Sequence, residues 1–209
     1  NDVCSVGDAN NDGFDDVLIG AYLDGYSYGS AYLFFGGEGM DTTFVKMVPQ
    51  EMEILHSGNF GQSVSSAGDF NNDGFDDFII GTEYNTLAYK GSAYIYYGAD
   101  QLDTMKVDSF PDMKLMIDEE DINNFGYCVA SAGDINNDGF PDVMVSSIGS
   151  SDFPGQVFIY FGGSEPDSIP DLNIEGEISG VFSYEGKSGF GMTLAGLGDL
   201  NNDGFDDII

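Results

Sequence analysis

Short apolar runs, each bounded by Gly or Asp, recur along this chain and set its reading. Val17-Leu18-Ile19, Phe78-Ile79-Ile80 and Val143-Met144-Val145 each follow an Asp-rich stretch directly. Further on come Tyr94-Ile95-Tyr96-Tyr97 and Phe158-Ile159-Tyr160-Phe161, continuous apolar and aromatic runs closed by Gly. Runs of this length without alternation predict strands buried on both faces. The stretch Phe60 to Ala67 alternates and is rich in small residues, which predicts a strand packed tightly at an axis. More polar segments around Glu53 to His56, Lys114 to Asp118 and Leu172 to Glu175 predict a fourth strand on an exposed edge. No segment carries a sustained 3.6-residue stripe, so no helix is expected.

These runs belong to a repeat. The phrase Gly7 to Asp16, Gly-Asp-Ala-Asn-Asn-Asp-Gly-Phe-Asp-Asp, returns with few changes as Gly68 to Asp77, Gly133 to Asp142 and Gly198 to Asp207. Its leading acids, Asp8, Asp69, Asp134 and Asp199, stand 61, 65 and 65 residues apart. Phe60-Gly61, Phe125-Gly126 and Phe190-Gly191 precede it at a constant interval, and Gly29 to Gly36 recurs as Gly91 to Gly98 and more loosely as Gly155 to Gly162. Recurrence at a fixed period predicts one supersecondary unit per period. Four short antiparallel strands per unit, the middle ones covered on both sides, describe a propeller blade stacked between neighbours. A β-sandwich is the alternative, but it requires an in/out alternation that the third strand lacks. The expected class is therefore all-β, with about three blades plus part of a fourth in an incomplete ring. The units fall at 1–58 (first strand truncated), 59–123, 124–188 and 189–209, the last holding two strands.

The loop carries the chemistry. Oxygen-bearing side chains at alternating positions, followed by a Gly that permits a sharp turn, suit a flexible calcium shell of about 6–8 ligands. In the second copy the side chains of Asp69, Asn71, Asp73 and Asp77 and the carbonyl of Phe75 are the expected ligands. Magnesium, which demands a tight octahedron and holds its waters, is disfavoured. An EF-hand is excluded, because its twelfth position needs a bidentate Glu and here holds Ile19, Ile80 or Val145. A metal-free Asx turn is the bland alternative. Several acids converging four times over would repel one another without a cation.

The Phe-Gly start, this loop and the Ile19-Gly20-Ala21 ending together resemble the FG-GAP repeats of integrin α-subunit propellers and related proteins. The resemblance implies four-stranded blades with calcium in the loop joining the first two strands. Carried across, it implies a first ligand set of Asp8, Asn10, Asp12, Phe14 and Asp16, and a second of Asp69, Asn71, Asp73, Phe75 and Asp77. The third is Asp134, Asn136, Asp138, Phe140 and Asp142, and the fourth Asp199, Asn201, Asp203, Phe205 and Asp207, up to four ions in all. Ser146-Ser147 and Thr82 depart from the family pattern without touching a ligand, and Pro141 falls at a position that is not one. The resemblance implies no catalytic residues.

Composition narrows the partners. With 209 residues and 42% hydrophobic content the chain can build a core. Its net charge of −32 repels nucleic acid and anionic lipid, so neither is an expected partner. The longest apolar run, Val17 to Leu23, falls far short of the roughly 20 residues of a membrane helix, so no membrane insertion is expected. Cys4 and Cys128 are expected as buried free thiols, with a bridge as the alternative that their spacing does not settle. His56, the one histidine, is expected on a solvated edge, and no nucleophile elbow, zinc cluster or phosphate loop occurs. The expected role is that of a non-catalytic extracellular or cell-surface binding module, meeting a protein partner or further blades. A glycan is the second candidate ligand, for which Tyr26, Tyr28, Tyr84 and Tyr89 supply loop aromatics. Ligand carboxylates account for only twelve of the 37 acids, so the excess reflects a salty or calcium-rich exterior or a basic partner. The absence of a signal peptide and of an initial Met suggests a mature or excised piece. About three blades are fewer than the roughly 4–8 of a closed propeller, so a fragment is expected. Head-to-tail association, with Phe190 to Ile209 meeting the first blade of another copy, is the alternative.

Overall fold

The computed structural model describes residues 2–24, 28–39, 44–49, 58–83, 90–100, 102, 110–117, 124–148, 154–177 and 189–209. Their strands form meanders in chain order. The first sheet is β1 (Val3–Gly7), β2 (Asp16–Ala21), β3 (Ser30–Phe34) and β4 (Phe44–Met47). The second is β5 (Ser63–Gly68), β6 (Asp77–Thr82), β7 (Ser92–Tyr96) and β8 (Met113–Leu115). The third is β9 (Phe125–Gly133), β10 (Asp142–Ser147), β11 (Gln156–Tyr160) and β12 (Leu172–Glu175), and β13 (Gly196–Gly198) pairs with β14 (Asp207–Ile208). Within the sheets every described pairing is antiparallel, and two isolated bridges, Gly29↔Phe60 and Gly91↔Phe125, are parallel. The chain is all-β, built of propeller blades in an incomplete ring.

Alternation along the middle strands explains why their sequence does not alternate. In the second sheet Phe78, Ile80, Tyr94 and Tyr96 point into one core, shared with Val6, Leu18 and Leu33 of the first sheet. Their neighbours Ile79, Ala93 and Ile95 point into another, shared with Phe125, Val143, Val145 and Phe158 of the third. The third sheet repeats the division, with Met144, Val157 and Ile159 turned to a further cluster that Leu194 and Ile208 join. A strand with a core on each side needs apolar residues at every position. A sandwich sheet, with one solvated face, does not present this pattern.

The Phe-Gly pairs lace one sheet to the next. Phe60 N donates to Tyr28 O at 3.0 Å, and Phe125 N donates to Lys90 O at 3.1 Å. Both phenylalanines are fully buried. Their rings lie edge-on to aromatics of their own sheet, Phe60 to Tyr94 at 5.7 Å and Phe125 to Phe158 at 5.5 Å.

Two expectations need adjustment. The fourth strand of the first sheet is Phe44–Met47, set against β3 by the pairs Tyr32↔Lys46 and Phe34↔Phe44. The segment Glu53 to His56 lies outside the described residues. Cys4 and Cys128 are free, as expected, but each is only half-buried. Cys4 packs against the core between the first two sheets, whereas Cys128 lines an open cavity with Asp2, Ser63 and Gly196.

Candidate metal centres

Each Asp-rich loop joins the first two strands of its sheet, and its own amides shape it. The first acid spans the loop: Asp8 accepts from Asp12 N at 2.9 Å through Oδ1 and from Gly13 N at 2.8 Å through Oδ2. Asp69, Asp134 and Asp199 repeat both bonds. Asp12 accepts from Phe14 N at 3.0 Å, and Asp73, Asp138 and Asp203 accept likewise from Phe75, Phe140 and Phe205 N. The Asn at the third position folds inward. Asn10 Nδ2 lies 3.1 Å from Asp12 Oδ2, Asn71 2.8 Å from Asp73, and Asn136 2.9 Å from Asp138. In the fourth loop Asn201 donates instead to Asp207, at 3.4 Å.

Two left-handed residues make this compact path. Asn11, Asn72, Asn137 and Asn202 adopt φ between 56° and 60°, and Gly13, Gly74, Gly139 and Gly204 adopt φ between 91° and 94°. Asn is among the few side-chain-bearing residues that visit this region readily, and the wider φ needs Gly. Sequence reasoning assigned no task to the second Asn of each loop. Its presence in all four copies was the signal.

The ninth position anchors the loop to the sheet. Asp16, Asp77 and Asp142 are fully buried. Asp16 accepts from Ala9 N at 3.1 Å and Gly36 N at 2.9 Å. Asp142 accepts from Ile135 N at 3.1 Å and Gly162 N at 3.0 Å. Burial pushes the Asp16 and Asp142 carboxyls up to about 6 and Asp77 up to about 7, against the pull of these amides. Neighbouring acids add to the rise: Asp12 and Asp8 for Asp16, Asp73 for Asp77, Asp138 and Asp134 for Asp142. The first, third, fifth and ninth positions are thus neighbours around one small volume.

The seventh position, expected to ligate through its carbonyl, is not alike in the four loops. Phe14 and Phe205 are half-exposed. Phe75 and Phe140 are less exposed. Phe140 lies beside the chain that follows β11, its Cδ2 4.0 Å from where a Cβ on Gly163 would stand. An apolar ring supplies no ligand atom, so Phe140 differs from the acids of its set. What the structure fixes for it is the amide, 3.0 Å from Asp138 Oδ1.

The donor set fits a hard cation. A carboxylate has about four acceptor lobes, and one or two amide bonds leave capacity for a metal. Amides bonded to ligating carboxylates are also what orients such ligands. Among the described residues no group of three or more His, Cys, Asp or Glu side chains stands ready as a cage by itself. The expected shells draw on Asn and main-chain oxygens as well, the mixed oxygen set that calcium accepts.

Of the tyrosines that are candidates for a glycan contact, Tyr28 is partly buried against the core between the first two sheets. Tyr26, Tyr84, Tyr89 and His56 lie outside the described residues. No helix among the described residues is long and apolar enough to cross a membrane.

Antiparallel four-stranded blades with an acidic, Asn- and Gly-turned loop between their first two strands define a repeat protein of the loop-bearing propeller class. Residues 60–96 match the FG-GAP repeat. The chain is 37% identical over 102 residues to integrin alpha-5 of Xenopus laevis, covering 45% of this chain and 9% of that protein. It is 29% identical over 134 residues to integrin alpha-6 of Gallus gallus, covering 62% and 12%. It is 32% identical over 113 residues to phosphatidylinositol-glycan-specific phospholipase D of Rattus norvegicus, covering 47% and 13%. The chain spans about a tenth of the length of these relatives. The FG-GAP match falls on the second sheet, and the chain is similar to integrin α-subunits over part of its length.

Proposed function

We propose that this chain is a calcium-stabilised extracellular β-propeller module for adhesion, protein–protein interaction or structural assembly, and that it performs no catalysis. The units are the blades 1–58, 59–123 and 124–188 and the blade portion 189–209. Calcium is held in the first loop by the side chains of Asp8, Asn10, Asp12 and Asp16 with the Phe14 carbonyl. The corresponding sets are Asp69 to Asp77 with the Phe75 carbonyl, Asp134 to Asp142 with the Phe140 carbonyl, and Asp199 to Asp207 with the Phe205 carbonyl. The observation that carries this is the inward clustering of Asn and acid in the first three loops, with all four loops closed by an acid at the ninth position.

A bound ion would supply positive charge among the acids of each loop, completed by Asn and main-chain oxygens. The residues do the rest. Asp8, Asp69, Asp134 and Asp199 hold the turn closed on its amides, and the ninth acid ties the loop to the second strand. A cation bound only by the folded loops stabilises the fold by linkage. Sites of this kind outside cells have dissociation constants of about 10⁻⁴–10⁻³ M, filled by extracellular calcium. Rigid blades then present their connecting loops to a protein partner or to further blades. The likeness to integrin α-subunits supports the adhesive reading and the surface location.

The test is thermal unfolding of the full chain in calcium, in magnesium and in chelator. Calcium raises the melting temperature, chelator reverses the rise, and magnesium at equal concentration gives little of it. A melting temperature indifferent to calcium up to 10⁻² M, about tenfold above the weakest such sites, would remove the proposal.

A further inference from the structure

The eighth loop position, between the two ligand positions that follow the Gly, reaches across to the neighbouring blade. Asp76 Oδ2 accepts from Asp8 N at 2.8 Å, 68 residues away in the preceding loop. Asp206 Oδ2 accepts from Asp134 N at 2.9 Å, and Asp206 N donates to Asp134 O at 3.1 Å. The receiving acid is in each case the first residue of a calcium loop. Both contacts run over a glycine in the left-handed region, Gly7 at φ 80° and Gly133 at φ 74°. A Cβ at either would collide with the reaching carboxylate. The middle junction differs. Pro141 occupies the eighth position of the third loop, and its ring packs where a Cβ on Gly68 would stand 2.9 Å from Pro141 Cγ. It offers Asp69 N no acceptor.

We propose that Asp76 and Asp206 are positioning residues for the calcium site of the blade before their own, so that the first loop depends on the second and the third on the fourth. The Pro141 junction leaves the second loop independent of the third. This rests on the calcium reading above. Asp76 holds the main chain of Asp8 while the Asp8 carboxylate closes on Asp12 N and Gly13 N. Without that hold, the first ligand and the two amides it gathers lose their common anchor. Asp76 is not itself among the ligands of either loop.

The test is a calcium titration of the full chain by amide nuclear magnetic resonance. Gly13, Gly74, Gly139 and Gly204 serve as one reporter per loop. Asp76→Ala raises the calcium needed at Gly13 by about tenfold, the low end of what losing an outer partner of a metal ligand does. Gly74, in the variant's own loop, keeps its midpoint. Asp206→Ala does the same to Gly139 and spares Gly204, and Pro141→Ala leaves Gly74 unchanged. Asp76→Asn keeps an acceptor without the charge and restores most of the affinity at Gly13. Equal losses from Asp76→Asn and Asp76→Ala would reduce the effect to charge and overturn the proposal. So would a shift at Gly74 in place of Gly13. Glycine amides that ignore calcium in the unmodified chain would remove the calcium reading, and this inference with it.

Discussion

The carboxylate of Asp77 joins its loop to the end of the third strand by accepting from Gly98 N at 2.8 Å. Its other oxygen accepts from Phe70 N at 2.9 Å and Asn71 N at 3.2 Å. One buried side chain therefore satisfies three amides from two strand connections. Replacing it with Ala strands the Gly98 and Asn71 amides, while Phe70 N keeps Gly68 O at 2.9 Å, and a buried unpaired donor costs about 1–3 kcal/mol. Asp77→Ala should lose about 3 kcal/mol or more in chelator, where no metal contributes. Asp77→Asn, which keeps one acceptor, should lose less. Urea denaturation of both variants measures the difference.

Acid should stabilise the metal-free blades over part of its range. Burial raises Asp77 to about 7 and Asp16 and Asp142 to about 6, above the ordinary value near 4. The folded state then binds more protons than the unfolded state, so the stabilisation is complete below about pH 4 and lost as pH rises through about pH 7. In chelator, these groups should raise the melting temperature as pH falls from 8 towards 5. Calcium needs the ionised acids, so the rise it confers should shrink over the same interval. Melting curves at stepped pH, with and without calcium, check both trends.

The lacing phenylalanines should matter more than any surface ion pair. Phe125 is fully buried against Phe158, and its amide crosses to Lys90. Phe125→Ala should cost about 3–5 kcal/mol. The Lys46–Asp24 pair at 2.8 Å is 41% and 38% exposed. Lys46→Ala should cost no more than about 1 kcal/mol. A larger loss from Lys46→Ala than from Phe125→Ala in guanidinium titrations would contradict the packing described above.

The thiols should be sluggish. Burial and the nearby Asp2 carboxylate push Cys4 up to about 12, and burial raises Cys128 as well. The thiolate is the reactive form, so at pH 8 about one Cys4 in ten thousand is poised to react. Iodoacetamide labelling of the folded chain, followed by mass spectrometry, should be slow at pH 8 and accelerate steeply with base. Unfolding should make both sites react like free cysteine.

The strands most legible in the sequence were those buried on both sides. Phe78 to Ile80 and Tyr94 to Tyr96 have no solvent face to interrupt them with polar residues. The loop was legible because its chemistry is local: Asp69, Asn71, Asp73 and Asp77 are fixed by their spacing alone. The covering of the seventh position was not, since Phe14 and Phe140 share a motif and differ in exposure. The edge strand Phe44–Met47 was hidden. An outer strand pairs on one side only, and its Lys46 over the Tyr32 ring reads as a loop charge. The reach of Asp76 to Asp8 was hidden for another reason. Nothing local separates an acid that faces solvent from one that bonds an amide 68 residues away. Pro141 was the clue, since it shows that the eighth position tolerates a residue without any ligand.

The middle sheets lend each face to a different core, which moves the boundary of cooperativity away from the blade. The unit expected to melt together is the seam between two blades, because that is where the greasy residues meet. A single blade cut out at its loops would carry two oily sides into water and have no interior of its own. Damage at one seam should therefore loosen the pair of sheets that share it before it reaches the next.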